Sequence, residues 1–111
     1  MKLDAKSTIE AGKAILGIEL GSTRIKAVLI DQENKPIAQG SHTWENQLVD
    51  GLWTYSIEAI WSGLQDCYAD LRTNVKNAYD IEIETLAAIG VSAMMHGYMP
   101  FNKKEEVLVP F

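Results

Sequence analysis

Cysteine and long apolar runs are scarce in this sequence, and each absence excludes some classes of protein. Cys67 is the single cysteine, so the chain has no internal disulfide and fits a reducing compartment. No apolar run approaches the ~20 residues that a membrane-spanning helix needs, and residues 1–13 hold no apolar segment of signal-peptide length. We therefore expect a cytoplasmic protein that does not partner a membrane.

Positive charge is also scarce. Lys and Arg together number 10 against 15 for Asp and Glu, which gives a formal net charge of -5. Domains that bind nucleic acid carry a basic surface that gathers phosphates, and this composition does not supply one. Nucleic acid is therefore not an expected partner.

Apolar residues make up 47% of the 111 residues, which is enough for one domain with a hydrophobic core. Residues 1–13 mix charged and small side chains without an apolar period, so we expect a flexible lead-in there. Regular structure is expected to begin near Ala14, and residues 14–111 form the candidate domain.

Two apolar runs flank a short polar turn at residues 21–24. This pattern predicts an antiparallel β-hairpin. Because paired strands count outward from the turn in step, Leu20 should face Ile25 and Glu19 should face Lys26. One acid and one base are therefore predicted side by side, next to a loop rich in hydroxyl groups.

The rest of the chain predicts further elements in a fixed order. A turn at residues 34–36 and a third strand at 37–44 extend the hairpin into a meander. An amphipathic helix is predicted from about residue 56 to residue 79. The nearly continuous apolar run at 86–92 predicts a parallel strand buried on both faces, and residues 103–106 predict a hairpin turn.

The tryptophans have different expected places. Trp61 belongs to the apolar stripe of the helix and is expected in the core. Trp44 and Trp53 flank a polar connection at residues 45–51, where they either cap the edge of the sheet or line a sugar site. His42 is expected to be an ordinary residue of the third strand.

The predicted hairpin turn has two interpretations. Gly21, Ser22 and Thr23 offer consecutive backbone amides and two hydroxyls, which can surround phosphate oxygens, but the same residue types are common in plain turns. Lys26 can hold transferred phosphate charge while Glu19 orients a magnesium ion through water, or the two side chains form a cross-strand ion pair.

His96 lies just beyond the predicted parallel strand. Ligands tend to bind where such strands end, so His96 either contacts substrate hydroxyls or has a structural role. No second histidine stands at a metal-ligand spacing from it, so a zinc site is not expected.

Two motifs resemble those of one enzyme family. The segment 16–31, LGIELGSTRIKAVLID, resembles the first phosphate motif of the FGGY-family carbohydrate kinases, and 89–97, IGVSAMMHG, resembles that family's sugar-contacting strand and loop. The resemblance covers residues 14–111 as the amino-terminal part of the kinase N-domain. It implies an incomplete α/β domain of the ribonuclease-H-like fold of actin, Hsp70 and sugar kinases, with a mixed sheet, an antiparallel three-strand meander, a crossover helix and a buried parallel strand.

The resemblance also implies which residues bind ATP. The β and γ phosphates would lie at Gly21, Ser22 and Thr23, and Lys26 would neutralise the transferred charge. Glu19 stands where the family usually has an aspartate near Mg²⁺, and its extra methylene displaces the carboxylate.

The sugar substrate is implied by the second motif. Met95 and His96 would contact sugar hydroxyls, and the Met-His-Gly form is most similar to xylulokinase-like members, which implies a pentulose. Residues 93–94 depart from the usual Gly-Gln. The catalytic base is expected beyond Phe111, so this segment contains no catalytic residue and should be inactive alone.

Three functions remain open from the sequence. The first is the amino-terminal part of an ATP-dependent carbohydrate kinase with a small-molecule sugar substrate, with a homodimer left open. The second is a nucleotide-binding ATPase module of the same superfamily that switches conformation without phosphorylating sugar, which Glu19 in place of aspartate favours. The third is a folding unit without a ligand.

Overall fold

The computed structural model describes residues 3–94 and 98–108. Within these ranges the elements follow in the order α1 (Ala5–Glu10), β1 (Ile15–Leu20), β2 (Arg24–Ile30), β3 (Pro36–Thr43), β4 (Gln47–Val49), β5 (Leu52–Thr54), α2 (Ile57–Tyr79) and β6 (Ala88–Ala93). None of the helices in these ranges is long and apolar enough to cross a bilayer.

The main sheet has four strands in the order β3-β2-β1-β6. Strands β1, β2 and β3 form the predicted antiparallel meander, and β6 pairs parallel to β1. The predicted register is confirmed, because Leu20 pairs with Ile25 and Glu19 pairs with Lys26. In the turn between β2 and β3, Asn34 adopts a left-handed backbone (φ 65°), as the turn predicted at residues 34–36 allows.

Helix α2 follows the prediction closely. Ser56 caps its start, where the side chain accepts a hydrogen bond from the N–H of Ala59 at 3.0 Å. The helix ends at Asp80, whose left-handed backbone (φ 56°) lets its N–H donate to the carbonyl of Lys76. Local capping therefore sets both ends of the helix.

The core lies between α2 and the face of the meander that α2 crosses. The residues of α2 that are buried there are Ile60, Gly63, Cys67, Leu71 and Val75. The prediction that Trp61 is a core residue was wrong, since its side chain is 58% exposed. Trp61 is one residue past Ile60, about 100° around the helix, and therefore points away from the buried line.

The structure also differs from the expected lead-in. Residues 5–10 form helix α1, capped by Asp4, whose carboxylate accepts the N–H of Ser7 at 2.8 Å. Ile9 is only 2% exposed and belongs to the core. The expectation that regular structure begins near Ala14 was wrong, because the side chain of Ile9 packs into the core and holds this short helix against it.

Strand β6 is parallel, as predicted, but it is not buried. Ile89 is 59% exposed and Val91 is 64% exposed. This strand forms one edge of the sheet, whereas α2 packs against β2 and β3, which lie toward the opposite edge. The apolar run in the sequence signalled the strand, but within the described residues no element covers it.

The connection that follows β3 has more structure than its composition suggested, whereas the later turn matches its prediction. The polar stretch after β3 contains β4 and β5, which pair into a small antiparallel hairpin. The predicted turn at residues 103–106 is present, and the side-chain oxygen of Asn102 accepts the N–H groups of Lys104 and Glu106. A single bridge joins Phe101 to Val107 beside that turn.

Candidate functional site

The turn at residues 21–24 joins β1 to β2 at the end of the meander. The N–H of Gly21 donates to the carbonyl of Arg24 at 3.0 Å and closes the turn. A Cβ atom on residue 21 would lie 2.9 Å from that same carbonyl oxygen, so the tight closure favours glycine. Ser22 and Thr23 are exposed at the tip.

Two aromatic residues hold the carbonyl groups of this turn. The indole N–H of Trp44 donates to the carbonyl of Gly21 at 2.8 Å, and the backbone N–H of Trp44 donates to the carbonyl of Thr23 at 3.1 Å. The hydroxyl of Tyr55 donates to the carbonyl of Ser22. The rings of Trp44 and Tyr55 are in contact, with centroids 4.4 Å apart. We call Trp44 and Tyr55 the aromatic clamp.

The donors of the turn remain available. Among the described residues, none accepts a hydrogen bond from the backbone N–H or the hydroxyl of Ser22 or of Thr23. Exposed amides and hydroxyls on consecutive residues form a concave donor surface of the kind that binds anions. The turn predicted from sequence therefore has the chemistry to hold phosphate oxygens.

Glu19 and Lys26 lie beside the turn on the sheet face opposite α2. Burial alternates along β2, where Ile25 and Ala27 are buried and Lys26 is exposed, so Lys26 and its partner Glu19 share the open face. Both line a shallow cavity of about 540 Å³ together with the glycines of β1 and β6 and Ser92. Although they are cross-strand partners, no ion pair joins the two within the described ranges.

The side chains that line this cavity could bind only certain metal ions. Within the part of the chain that the structure describes, no group of three or more His, Cys, Asp or Glu side chains could hold a metal ion. Mg²⁺ is usually bound by one or two carboxylates, water and substrate phosphates. Glu19 supplies one exposed carboxylate next to the turn, which fits a magnesium ion arriving with a nucleotide and does not fit a cage of protein ligands.

The predicted sugar contacts, Met95 and His96, lie outside the described residues. The strand that leads to them is described, and its last residue, Ala93, pairs with Leu20. Leu20 directly precedes the turn, so the carboxyl end of β6 lies at the same end of the strands as the candidate phosphate site.

Sequence reasoning missed the aromatic clamp. Trp44 was expected to cap the sheet or to line a sugar site, but it is 8% exposed and contacts the turn. Nothing in the local sequence of Tyr55 connects it to a turn 33 residues earlier. Trp53 is 66% exposed on β5. His42 lies in β3, as predicted, with its Nδ1 2.8 Å from a carboxylate oxygen of Asp66.

Comparison with known proteins gives a family match for most of the chain. Residues 14–111 match the N-terminal domain of the FGGY family of carbohydrate kinases. No curated protein matches the sequence.

Several solved structures share the fold. A ligand-bound xylulose kinase from Lactobacillus acidophilus is 26% identical with a TM-score of 0.66, and the match covers 87% of this chain and 19% of that one. A gluconate kinase from the same organism is 26% identical with a TM-score of 0.67, covering 87% and 18%. A xylulose kinase from Rhodospirillum rubrum is 18% identical, with a TM-score of 0.68 and coverage of 87% and 19%.

These likenesses confirm the predicted ribonuclease-H-like fold with its mixed sheet, as a partial domain. The chain spans 18% to 19% of the length of the structures just named, so they compare with it only over their corresponding segment.

Proposed function

The chain belongs to the FGGY family of carbohydrate kinases, and from this premise we propose that it holds the ATP phosphates and one side of the sugar in an ATP-dependent carbohydrate kinase. The observation that carries the proposal is the turn at residues 21–24. The clamp bonds three of its carbonyls and the N–H of Gly21 bonds the fourth, that of Arg24. No described residue accepts from the amides and hydroxyls of Ser22 and Thr23, which are therefore available to an anion.

Each residue of the turn has a part in binding phosphate. We propose that Gly21 admits the phosphate close to the backbone and that Ser22 and Thr23 donate hydrogen bonds to its oxygens. The ammonium group of Lys26 offsets the negative charge that accumulates as the γ-phosphoryl group moves. Its exposure on the open face, without an ion pair to Glu19, supports that part.

Glu19 would hold the metal. Mg²⁺ bound together with ATP would neutralise part of the phosphate charge. The Glu19 carboxylate would hold that ion through water, since the side chain is longer than the aspartate usual at this position. Its place in the cavity that also contains Lys26 supports the assignment.

We propose a pentulose as the sugar, contacted by Met95 and His96 at the end of β6. The xylulose kinase and the gluconate kinase from Lactobacillus acidophilus have the same identity to this chain, so the pentulose proposal depends on the Met-His-Gly motif alone. We propose a cytoplasmic location, and the single cysteine supports it because a chain without an internal disulfide fits a reducing compartment.

Substitution of Lys26 tests the kinase proposal. In the intact protein, Lys26→Ala should lower pentulose-dependent ADP release at least about tenfold, because a charge that stabilises the transferring group is lost. Lys35→Ala is the matched control, since Lys35 is exposed in the turn between β2 and β3, at the opposite end of β2 from residues 21–24. An unchanged rate in Lys26→Ala would rule out the assigned role. The 111-residue chain alone should release no ADP, because the expected catalytic base lies beyond Phe111.

The second candidate function is a nucleotide switch, which Glu19 in place of aspartate favours. Such a module would hydrolyse ATP at a rate that does not respond to sugar. The same assay therefore separates the two functions, when ADP release is compared with and without a panel of pentuloses.

A further inference from the structure

The geometry of the turn assigns a role to residues outside both family motifs. Building on the proposed phosphate site, we propose that Trp44 and Tyr55 are positioning residues that keep the N–H groups of Ser22 and Thr23 directed at the bound phosphate. Neither residue touches the phosphate itself. Both act by holding the peptide groups of the turn in one of two orientations.

The orientation follows from the planarity of the peptide bond. In a trans peptide the carbonyl and the following N–H point to opposite sides. The indole N–H of Trp44 holds the carbonyl of Gly21, so the N–H of Ser22 must point away from the indole. The hydroxyl of Tyr55 holds the carbonyl of Ser22, which likewise directs the N–H of Thr23 away from the phenol.

Without these bonds the turn has an alternative. Gly21 restricts its backbone little, and Ser22 and Thr23 are exposed, so the intervening peptide groups could rotate. A rotated peptide would present a carbonyl oxygen, with its partial negative charge, to the phosphate. The clamp disfavours that state because rotation breaks a hydrogen bond to Trp44 or to Tyr55.

The clamp is itself held by rigid elements. Trp44 directly follows β3 and is 8% exposed, and its backbone N–H also bonds the carbonyl of Thr23. Tyr55 directly precedes Ser56, the cap of α2. The contact between the two rings joins the end of β3 to the start of α2 just beneath the turn. The packed core therefore fixes the position from which the clamp acts.

The test removes one hydrogen-bond donor at a time in the intact protein. Tyr55→Phe and Trp44→Phe each keep an aromatic ring but lose the side-chain donor to the turn. We expect KM for ATP to rise roughly fivefold in each variant, the factor that corresponds to one hydrogen bond of about 1 kcal/mol. KM for the sugar should stay within twofold of the parent value, on the order of experimental scatter.

Control variants separate positioning from general stability. Trp61→Phe is the matched control, because Trp61 is 58% exposed on α2 and belongs to neither the turn nor the clamp. It should leave both KM values unchanged. Hydrogen exchange of the Ser22 and Thr23 amides gives a second readout, since their protection by Mg-ATP should weaken in Tyr55→Phe. If Trp44→Phe does not fold, Tyr55→Phe decides, because Tyr55 is only partly buried.

The clamp and the kinase assignment can fail separately. If Lys26→Ala is impaired while the two clamp variants keep the parent KM for ATP and the parent protection, the clamp is refuted and the phosphate site stands. A parallel rise of KM for ATP and for sugar also refutes positioning, because it indicates general loosening. If the intact parent protein binds no Mg-ATP, both proposals fall together.

Discussion

At the scale of single residues, Cys67 illustrates how burial removes reactivity. Its side chain is 1% exposed on the buried line of α2, and its thiol lies 3.5 Å from the carbonyl of Ile25. Burial raises the pKa of the Cys67 thiol, and the nearby carboxylates of Asp70 and Asp66 raise it further. The thiol therefore stays protonated at neutral pH and has no role in the site.

Two consequences for Cys67 can be measured together. Alkylation of the folded protein at neutral pH should be much slower than alkylation of the unfolded chain, because the reactive species is the thiolate. The raised pKa also means that the unfolded chain loses this proton first as pH rises. The thiol's contribution to the free energy of unfolding is therefore complete below its ordinary pKa and declines as pH rises through the higher value of the folded state.

Denaturant unfolding of the parent and of Cys67→Ala between neutral and alkaline pH isolates that contribution. The parent should lose more stability than Cys67→Ala over the alkaline range. Equal losses in the two proteins, or fast alkylation of the folded parent, would contradict the buried environment.

At the scale of secondary-structure elements, α2 and β3 form one closely joined unit. The N–H of Ser41 donates to a carboxylate oxygen of Asp70 at 2.9 Å, and the side chain of Asn74 donates to the carbonyl of Gln39 at 2.6 Å. These bonds pair backbone groups on the outer edge of β3, which would otherwise be open to another strand. The helix thus covers one face of the sheet and also blocks one of its edges.

Gly40 makes this close approach possible. A Cβ atom at residue 40 would lie 2.4 Å from the backbone nitrogen of Leu71 and 2.8 Å from the carbonyl oxygen of Cys67. Gly40→Ala should therefore lower the free energy of unfolding by about 1 to 3 kcal/mol, the usual cost of overpacking. Chemical denaturation monitored by circular dichroism measures it.

The matched control for that experiment is Gly90→Ala on β6. A Cβ atom there would have no neighbour within 4 Å, so the free energy of unfolding should hardly change. Equal effects at the two glycines would show that loss of backbone freedom, rather than the helix contact, determines the result.

At the scale of the whole molecule, the two edges of the sheet are unequal. The edge at β3 is bonded by α2, whereas the edge at β6 has no neighbouring strand among the described residues. The radius of gyration is 16.3 Å, against about 13 Å for a compact domain of 100 residues. The chain is thus less compact than a typical domain of its size, and Ile89 and Val91 on β6 are exposed to solvent.

The 111-residue chain alone should therefore self-associate through β6, because an exposed apolar edge strand pairs readily with another strand. Val91→Lys should reduce the association, since a charged side chain on an edge opposes pairing. Sedimentation velocity over a range of concentrations measures the effect.

Leu52→Lys provides the comparison for Val91→Lys, since Leu52 is 58% exposed on β5, outside the main sheet. It should leave the association of the parent unchanged. If both substitutions reduce association equally, general surface hydrophobicity explains it and the β6 edge does not.

The sequence by itself determined the features that depend on near neighbours. Two apolar runs around a four-residue polar turn specify a hairpin, and counting outward from the turn predicts the Glu19 to Lys26 register. The steps of three and four residues, with Ser56 at the start, gave the bounds of α2. These signals depend on residues that are close in sequence, so a single sequence is enough to recognise them. The chemistry of Ser22 and Thr23 was visible for the same reason.

Only the tertiary structure decided the features that depend on distant partners. Trp61 lies at helical spacing with core residues, but the narrow line of contact with the sheet leaves it exposed. Ile9 looked isolated in sequence and yet packs into the core. Trp44 and Tyr55 reach the turn from 23 and 33 residues away, and no local pattern encodes such a contact. Residue types thus indicated a phosphate-binding turn, and packing determined which side chains hold its carbonyls.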